Sequence, residues 1–248
     1  MNDLSGKTTI VVGASRGLGR GIATAFAKAG AHVVAVSRTA PVFPEPGPDA
    51  IQSETADAAD ATVAGRLFAR YEPQIVILVA GATPYMRPLQ QHTWETFSVN
   101  WHTDVRIAFY WLREALLKPM PSGSRVVVIS SGAAVNPNGS PISGGYAGAK
   151  ATQRLITAYA QEEANRAGQG ITFTAVLPRF APSTGVGAPA VQAYAERAGQ
   201  PLEEYLESMG PLVTPEIAGT ALVELVQADA AKVAPAYLLT SAGLQELP

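Results

Sequence analysis

The chain has 248 residues, of which 47% are apolar and 15% are charged, and its formal net charge is −2. A chain of this length and apolar content can bury the core of one large α/β domain. The small negative charge argues against a nucleic-acid partner, because proteins that bind nucleic acids usually carry a basic surface. The absence of cysteine excludes disulfides and thiolate ligands, and the three histidines lack metal-ligand spacing, so no metal site is expected.

The polar N-terminal residues contain no pattern typical of a secretory signal peptide. The longest uncharged stretch, residues 126–149, is interrupted by proline, glycine, asparagine and serine, so it is not expected to span a membrane. We therefore expect a cytoplasmic protein that has no membrane partner.

Short apolar strands alternate with helices in the first part of the chain. The pattern predicts strands at 8–12, 32–36, 50–53 and 75–79, and helices at 18–29 and 59–71. The stretch 39–49 contains four prolines and therefore cannot form a regular helix.

The same alternation continues in the second part of the chain. It predicts helices at 92–118, 146–167 and 215–227, and strands at 125–130, 171–177 and 236–239. Thr214 can cap the last helix, and Pro215 suits its first position. The stretch 182–213 is irregular with helical patches, and we expect it to form a lid over a substrate.

Apolar strands that alternate with helices predict a parallel sheet that is covered by helices on both faces. We expect residues 1–248 to form a single-domain, Rossmann-like, doubly wound α/β fold of about seven strands. Sheets of this kind bind ligands beyond the carboxyl ends of their strands, and the motifs described below fall at that edge.

A glycine-rich turn follows the first predicted strand. Gly13, Gly17 and Gly19 give the pattern G-x-x-x-G-x-G between this strand and the first helix. Glycine lets the chain turn tightly and lets its backbone approach a pyrophosphate group, toward which the helix N-terminus directs its free N–H groups. The alternative is a tight strand-to-helix turn that binds no ligand.

The residues at the end of the second strand distinguish between the two nicotinamide dinucleotides. An acidic residue there selects NAD, whereas arginine suits the 2′-phosphate of NADP. This chain has Ser37 and Arg38 at that position, and Arg16 lies inside the glycine turn. Two guanidinium groups can bracket a phosphate, so the sequence predicts NADP(H). The alternative is that both arginines are ordinary surface charges.

Tyr146 and Lys150 stand one helical turn apart and therefore share a helix face. A free tyrosine has a pKa of about 10 and is a poor base at neutral pH, but a nearby ammonium group stabilises its phenolate. The pair could handle a proton, and Lys150 could also reach the ribose hydroxyls of a nicotinamide cofactor. Taken alone, the pair is equally consistent with two surface residues.

Two further polar residues are expected near this pair. Ser131 follows the strand at 125–130, and its hydroxyl could bind a substrate oxygen, with Ser130 as the second choice. Asn100 lies within the predicted helix 92–118, where a buried amide needs partners. It could hold a water molecule that links Lys150 to solvent, or it could be purely structural.

These residues, in this order, resemble the short-chain dehydrogenase/reductase family over nearly the whole chain. The segment from Gly13 to Gly19 is similar to the family's cofactor turn. The resemblance implies an active-site tetrad and a set of cofactor contacts. The implied tetrad is Asn100, Ser131, Tyr146 and Lys150. With the residues proposed above, the expected cofactor contacts are Gly13, Ser15, Arg16, Gly17, Leu18, Gly19, Ser37, Arg38, Asp57, Ala58, Ala80, Gly81, Tyr146, Lys150, Pro178, Ser183 and Thr184.

The chain departs from the family's pattern at several positions. Val12 and Val79 replace polar residues that usually precede the two glycine motifs, and Arg179 replaces the glycine that usually follows Pro178. The loop 132–145 is longer than usual and could reshape the mouth of the substrate site.

The resemblance implies hydride transfer between NADP(H) and a carbonyl carbon or secondary alcohol of a small molecule, with Tyr146 as general acid or base. An enone or imine reductase is an alternative on the same scaffold, and a non-catalytic NADP(H)-binding sensor is another. Because the two long predicted helices, 92–118 and 146–167, form the family's usual subunit contact, the resemblance also implies a homodimer or homotetramer.

Overall fold

The computed structural model describes residues 3–43, 51–182 and 184–248, and its strands form one eight-stranded sheet. The strands are β1 (Thr8–Val12), β2 (His32–Ser37), β3 (Ile51–Thr55), β4 (Ile75–Leu78), β5 (Arg125–Ile129), β6 (Thr172–Pro178), β7 (Ala236–Thr240) and β8 (Gly243–Glu246). The α-helices of the described residues are α1 (Gly17–Lys28), α2 (Val63–Tyr71), α3 (Trp94–Phe97), α4 (Arg106–Leu117), α5 (Gly144–Arg166), α6 (Gly187–Ala198), α7 (Leu202–Ser208) and α8 (Pro215–Gln227).

The order of the strands is β3-β2-β1-β4-β5-β6-β7-β8, and all neighbours are parallel except β7 and β8. The chain winds outward in one direction from β1 to β3 and in the other from β4 onward. The predicted Rossmann-like α/β fold is therefore confirmed. The strand β8 was not among the predicted elements, because this half-exposed strand has no apolar run to reveal it.

Helices cover both faces of the sheet, as the alternation of side chains along each strand requires. Val11 packs into a core with residues of α1 and α8, whereas Ile10 and Val12 pack into a second core with α2, α4 and α5. In the second core, Trp111 is fully buried, and its indole N–H donates a hydrogen bond to the carbonyl oxygen of Ala58 at 3.1 Å.

The single helix predicted at 92–118 is wrong. The structure has the short helix α3, a π-helical turn at Trp101–Val105, and then α4. Thr93 caps α3 through its hydroxyl, so the helix begins only at Trp94. Near the π-helical turn, the side chains of Asn100 and Asp104 both form hydrogen bonds with the backbone of residue 82. Such contacts are invisible to apolar periodicity, and π-helical turns often occur at functional sites.

The other departures from the predicted elements are smaller. The irregular stretch 182–213 contains α6 and α7, and α8 begins as predicted, with the Thr214 hydroxyl accepting from the backbone N–H of Ile217. Residues 44–50 of the proline-rich stretch and of the predicted strand 50–53 lie outside the described residues. No helix in the part of the chain that the structure describes is long and apolar enough to cross a membrane.

Replacing Trp111 with alanine is expected to lower the free energy of unfolding by about 3–5 kcal/mol, because it removes a fully buried indole and leaves a cavity. Trp94→Ala is the matched control, because 67% of the Trp94 side chain is exposed. Surface substitutions of this kind usually change stability by less than about 0.5 kcal/mol. Equilibrium unfolding in urea measures both values, and similar losses in the two variants would contradict this account of the core.

Candidate active site

A cleft of about 1080 Å³ runs along the carboxyl ends of the central strands. All the expected cofactor contacts border it except Ser183, which lies outside the described residues. Ser131 also borders the cleft, together with Tyr146 and Lys150. The sequence motifs, although far apart in the chain, therefore meet at one edge of the sheet.

The glycine turn is closed too tightly for side chains. A Cβ atom on Gly19 would lie 2.1 Å from the carbonyl oxygen of Gly13, and one on Gly13 would lie 2.6 Å from the backbone nitrogen of Ala80. Gly13 also has a φ of +93°, which other residues rarely adopt. The backbone alone thus forms the cradle at the start of α1, and its shape suits the pyrophosphate of a dinucleotide.

Four polar residues, Arg16, Ser37, Arg38 and Asp57, border the cleft in which the adenosine ribose is expected. Arg16 and Arg38 are exposed, and neither forms an ion pair with another of the described residues. The Ser37 hydroxyl donates to the carbonyl oxygen of Thr39 at 2.6 Å, so its oxygen is left to accept. One carboxylate oxygen of Asp57 accepts from the backbone N–H of Ala59, which leaves the other oxygen available to a ligand. Two guanidinium groups and one such carboxylate suit a phosphorylated adenosine.

Thr184 lies across the glycine turn, in contact distance of the position that a Gly17 Cβ would occupy. Its hydroxyl donates to the carbonyl oxygen of Ala181 at 2.8 Å and accepts from the backbone N–H of Gly187 at 2.9 Å. The hydroxyl therefore helps to form the turn that precedes α6, and binding a cofactor amide would require it to give up or share one of these bonds.

Two adjacent serines at the end of β5 have different surroundings. Ser130 is buried, and its hydroxyl donates to the backbone carbonyl of Lys150 at 2.7 Å, which ties α5 to the sheet. The Ser131 oxygen accepts from the backbone N–H of Ala133 at 3.2 Å. The Ser131 hydroxyl can therefore still donate a hydrogen bond to a ligand in the cleft, whereas the Ser130 hydroxyl already donates its hydrogen bond within the protein.

Lys150 is 4% exposed, and its ammonium group has three protein partners. It lies 3.1 Å from a carboxylate oxygen of Asp104 and donates to Oε1 of Gln153 at 2.9 Å and to the carbonyl oxygen of Ile129 at 3.4 Å. Burial alone would lower the pKa of Lys150, but the Asp104 carboxylate and, after it, Tyr146 outweigh that effect, so the pKa is raised. The ammonium lies 5.5 Å from the centre of the Tyr146 ring.

Asp104 and Gln153 were missed by the sequence analysis. Two signals could have revealed them: Asp104 is an acidic residue four positions after Asn100 in a largely apolar segment, and Gln153 lies three positions after Lys150 on the same helix. Neither signal is specific without the fold.

Asn100 is 1% exposed and lies behind the cleft, where it does not line the cavity. Its amide group donates to the carbonyl oxygen of Ala82 at 2.8 Å and to Oδ1 of Asp104 at 3.3 Å. Asp104 therefore stands between Asn100 and Lys150, at the place where the sequence analysis expected a bridging water. Oδ1 of Asn100 has no hydrogen-bond partner among the described residues.

Aromatic side chains border the other end of the cleft. The Tyr194 hydroxyl, on α6, lies 2.7 Å from the Ser143 hydroxyl, and the Tyr194 ring meets Phe180 edge to face at 5.9 Å. Burial raises the pKa of Tyr194, and the hydrogen bond with Ser143 offsets part of this rise. Tyr205 and the exposed Arg179 also line the cavity. The expected lid segment thus supplies two phenols to the cleft.

Comparison with known proteins identifies a family and several relatives. Residues 7–194 match the family described as short chain dehydrogenase. The hydroxynaphthalene reductase-like protein Arp2 of Metarhizium robertsii is 31% identical over 186 residues, which cover 71% of this chain and 68% of the relative. The L-xylulose reductase of Mesocricetus auratus is 31% identical over 108 residues, which cover 42% of this chain and 43% of the relative.

Solved structures share the fold over almost the whole chain. A protein from Beutenbergia cavernae, named provisionally as an NAD(P)-dependent gluconate 5-dehydrogenase and containing NADP at low occupancy, is 27% identical with a TM-score of 0.73. The similarity covers 93% of this chain and 92% of that one. A short-chain dehydrogenase from Burkholderia cenocepacia is 20% identical, has a TM-score of 0.75, and matches over 97% of this chain and 98% of its own.

Gly19→Ala is expected to raise the dissociation constant for NADPH by about tenfold or more, because the new Cβ would force the turn open. Fluorescence titration with NADPH measures the constant. Gly65→Ala is the control: it also adds a methyl group to a helix, but there the nearest atoms belong to the flexible carboxylate of Glu114, at 3.1 Å. Unchanged binding by the Gly19 variant would show that the turn does not hold the cofactor.

Proposed function

Because this chain belongs to the short-chain dehydrogenase/reductase family of oxidoreductases, we propose that it transfers hydride between NADP(H) and a carbonyl carbon or secondary alcohol. The observation that carries this proposal is the position of Tyr146, Lys150 and Ser131, which border the same cleft as the glycine turn. A proton-handling group, a cation and a free hydroxyl donor are the parts that carbonyl reduction requires.

The roles of the side chains follow from their contacts. The bound nicotinamide ring would supply or accept the hydride. Ser131, whose proton is free, would donate a hydrogen bond to the carbonyl oxygen and so polarise it. Tyr146 would pass its proton to that oxygen as the alcohol forms, and the positive charge of Lys150 would stabilise the phenolate that remains. Asn100 would support this group from behind, through Asp104.

The preference for NADP(H) rests on Arg16 and Arg38. Both are exposed and border the cleft, Arg38 directly after β2 and Arg16 in the glycine turn, where its guanidinium lies beside Gly185. Neither forms an ion pair with another described residue. A 2′-phosphate would provide the missing partner for both guanidinium groups. The NADP in the Beutenbergia cavernae structure supports this choice.

The aromatic end of the cleft favours one class of substrate. Phe180, Tyr194 and Tyr205 border the cleft, and so do Val135 and Met86. Apolar rings with phenolic hydroxyls at their edges suit a cyclic or aromatic carbonyl compound better than an open-chain sugar. The hydroxynaphthalene reductase-like relative is consistent with this class. We also propose that part of the segment 182–213 acts as a lid, because α6 and α7 bring Tyr194 and Tyr205 to the cleft.

A homodimer or homotetramer is the proposed assembly. Phe109 on α4 and Leu155 and Tyr159 on α5 are 53%, 68% and 65% exposed. Large apolar side chains grouped on neighbouring helices often mark a protein–protein contact. A second copy of the chain could cover them.

Tyr146→Phe is expected to lower kcat by about 10²- to 10⁴-fold, because it removes the proton donor but keeps the ring. The NADPH dissociation constant should change little. NADPH oxidation measured with a panel of ketones, enones and imines tests this expectation and also identifies the reaction class. Tyr159→Phe, on the exposed face of the same helix, is the matched control and should keep full activity. If the unaltered protein binds NADPH tightly but consumes none with any compound, it is a non-catalytic binding protein.

Arg38→Ala is expected to lower kcat/KM for NADPH by about 10- to 100-fold, because it removes about one charge-assisted hydrogen bond to the 2′-phosphate. The kcat/KM for NADH should change little, because NADH lacks this phosphate. Steady-state kinetics with both cofactors give the ratio. Arg179→Ala removes the same charge elsewhere in the cleft and should leave the ratio as it was. A ratio that Arg38→Ala does not alter would contradict the preference for NADP(H).

A further inference from the structure

A buried cluster of three polar side chains lies beside Tyr146, and the mechanism described so far gives no role to the negative charge within it. Asp104, Lys150 and Gln153 are 1%, 4% and 2% exposed. The Lys150 ammonium is bound by Asp104 and Gln153, and the Gln153 amide in turn donates to the backbone carbonyl of Asp104 at 2.9 Å. Buried charges are costly unless they are paired, so the carboxylate and the ammonium depend on each other.

The fold holds the Asp104 carboxylate in one place. Oδ1 accepts from the backbone N–H of Ala82 at 2.8 Å and from the amide of Asn100 at 3.3 Å, while Oδ2 faces Lys150. A Cβ atom on Gly81 would lie only 2.6 Å from Oδ2, so the glycine leaves the room that the carboxylate occupies. Asp104 also borders the cleft. The carboxylate of Asp104 is therefore a negative charge that is held in one position at the edge of the cleft.

We propose that Asp104 is a positioning residue whose carboxylate offsets the charge of Lys150 beside Tyr146 and so controls the pH range in which Tyr146 can donate its proton to a carbonyl oxygen. This inference rests on the proposed function. In reduction, the carbonyl carbon receives the hydride, its oxygen receives the Tyr146 proton, and a proton from solvent restores the phenol. The charge on the cluster therefore controls the pH at which this proton donor is lost.

The electrostatic reason is the balance of charges around the phenol. An ammonium without a counter-ion in a dry site strongly stabilises a neighbouring phenolate. A carboxylate 3.1 Å from that ammonium makes the pair neutral overall, and the field of a neutral pair falls off faster with distance than the field of one charge. Tyr146 lies close enough to Lys150 for its ring to sit 5.5 Å from the ammonium, so the phenol responds to this compensation.

Other ionisable groups share the cavity with Tyr146. Tyr194 on α6 interacts electrostatically with Tyr146, and its own pKa is raised by burial, so it remains a neutral phenol at neutral pH. The remaining ionisable groups of the cleft are Arg16, Arg38, Asp57, Arg179 and Tyr205. The structure shows no contact between any of these five and Asp104, Lys150 or Gln153. The test therefore changes only the charge of the cluster.

The test measures the ionisation of Tyr146 directly, in protein without cofactor or substrate. Ultraviolet difference absorbance reports tyrosinate as the pH rises, and subtraction of the same titration in Tyr146→Phe isolates the contribution of Tyr146. Asp104→Asn removes the negative charge and is expected to shift this ionisation to lower pH by about one unit. Gln153→Glu adds a negative charge beside Lys150 and is expected to shift it to higher pH.

Gln153→Met is the matched control. It loses the hydrogen bond to Lys150 and the bond to the Asp104 carbonyl without changing any charge, so the ionisation of Tyr146 should stay where it is. Melting curves establish that each variant is folded. If Asp104→Asn does not fold, Gln153→Glu still decides the question. A Tyr146 ionisation that neither charge change moves, or that Gln153→Met moves as far, overturns the proposal.

Kinetics separate this proposal from the proposed function. In an active enzyme, the pH at which NADPH-driven reduction falls to half should drop by about one unit in Asp104→Asn. A loss of reduction activity that is the same at every pH would leave Asp104 a purely structural role and overturn the proposal. If the unaltered protein reduces no carbonyl compound, the proposed function fails, and the tyrosinate titration alone decides the role of Asp104.

Discussion

The ion pair between Lys150 and Asp104 joins elements of the site that are far apart in the chain. Lys150 comes from α5, Asp104 from the π-helical turn before α4, and the bonds of both reach the ends of β4 and β5. Removing two charges from water costs about as much as their attraction returns, so this pair contributes little net stability. The pair instead holds α5 and the π-helical turn in a fixed arrangement, because either charge left alone in this interior would be strongly unfavourable.

The end of β4 connects this pair to the cofactor end of the cleft. The backbone of Ala80 touches the position that a Gly13 side chain would fill, and Gly81 makes room for Asp104. Ala82 then donates to Asp104 and accepts from Asn100 through its backbone. Three consecutive residues thus hold the glycine turn on one side and the charged cluster on the other. A shift of this short segment would move both parts of the site together.

The sequence predicted the elements that have a strong local signal. Buried parallel strands are continuous apolar runs, and the glycine spacing of the turn follows from its close backbone contacts, so both could be recognised. The exposed strand β8 and the π-helical turn at Trp101–Val105 have no such signal. The pairing of Asp104 with Lys150 depends on how the helices pack against β4, which no local pattern contains. No local pattern distinguishes Tyr194 within the expected lid, because its bond to Ser143 is likewise a contact over long range.

Backbone atoms form one end of the cleft and side chains form the other, and this difference affects specificity. Backbone atoms form the glycine turn at the proposed cofactor end, so many sequences can share it once the glycines are present. Side chains form the proposed substrate end, where one hydrogen bond between Ser143 and Tyr194 ties α6 to the loop that precedes α5. Burial raises the pKa of Tyr194, so this phenol keeps its proton at neutral pH and the bond is maintained. Changes around Tyr194 and Phe180 are therefore expected to alter the proposed substrate specificity without disturbing the proposed cofactor contacts. Two relatives of this chain carry the names of different reductases.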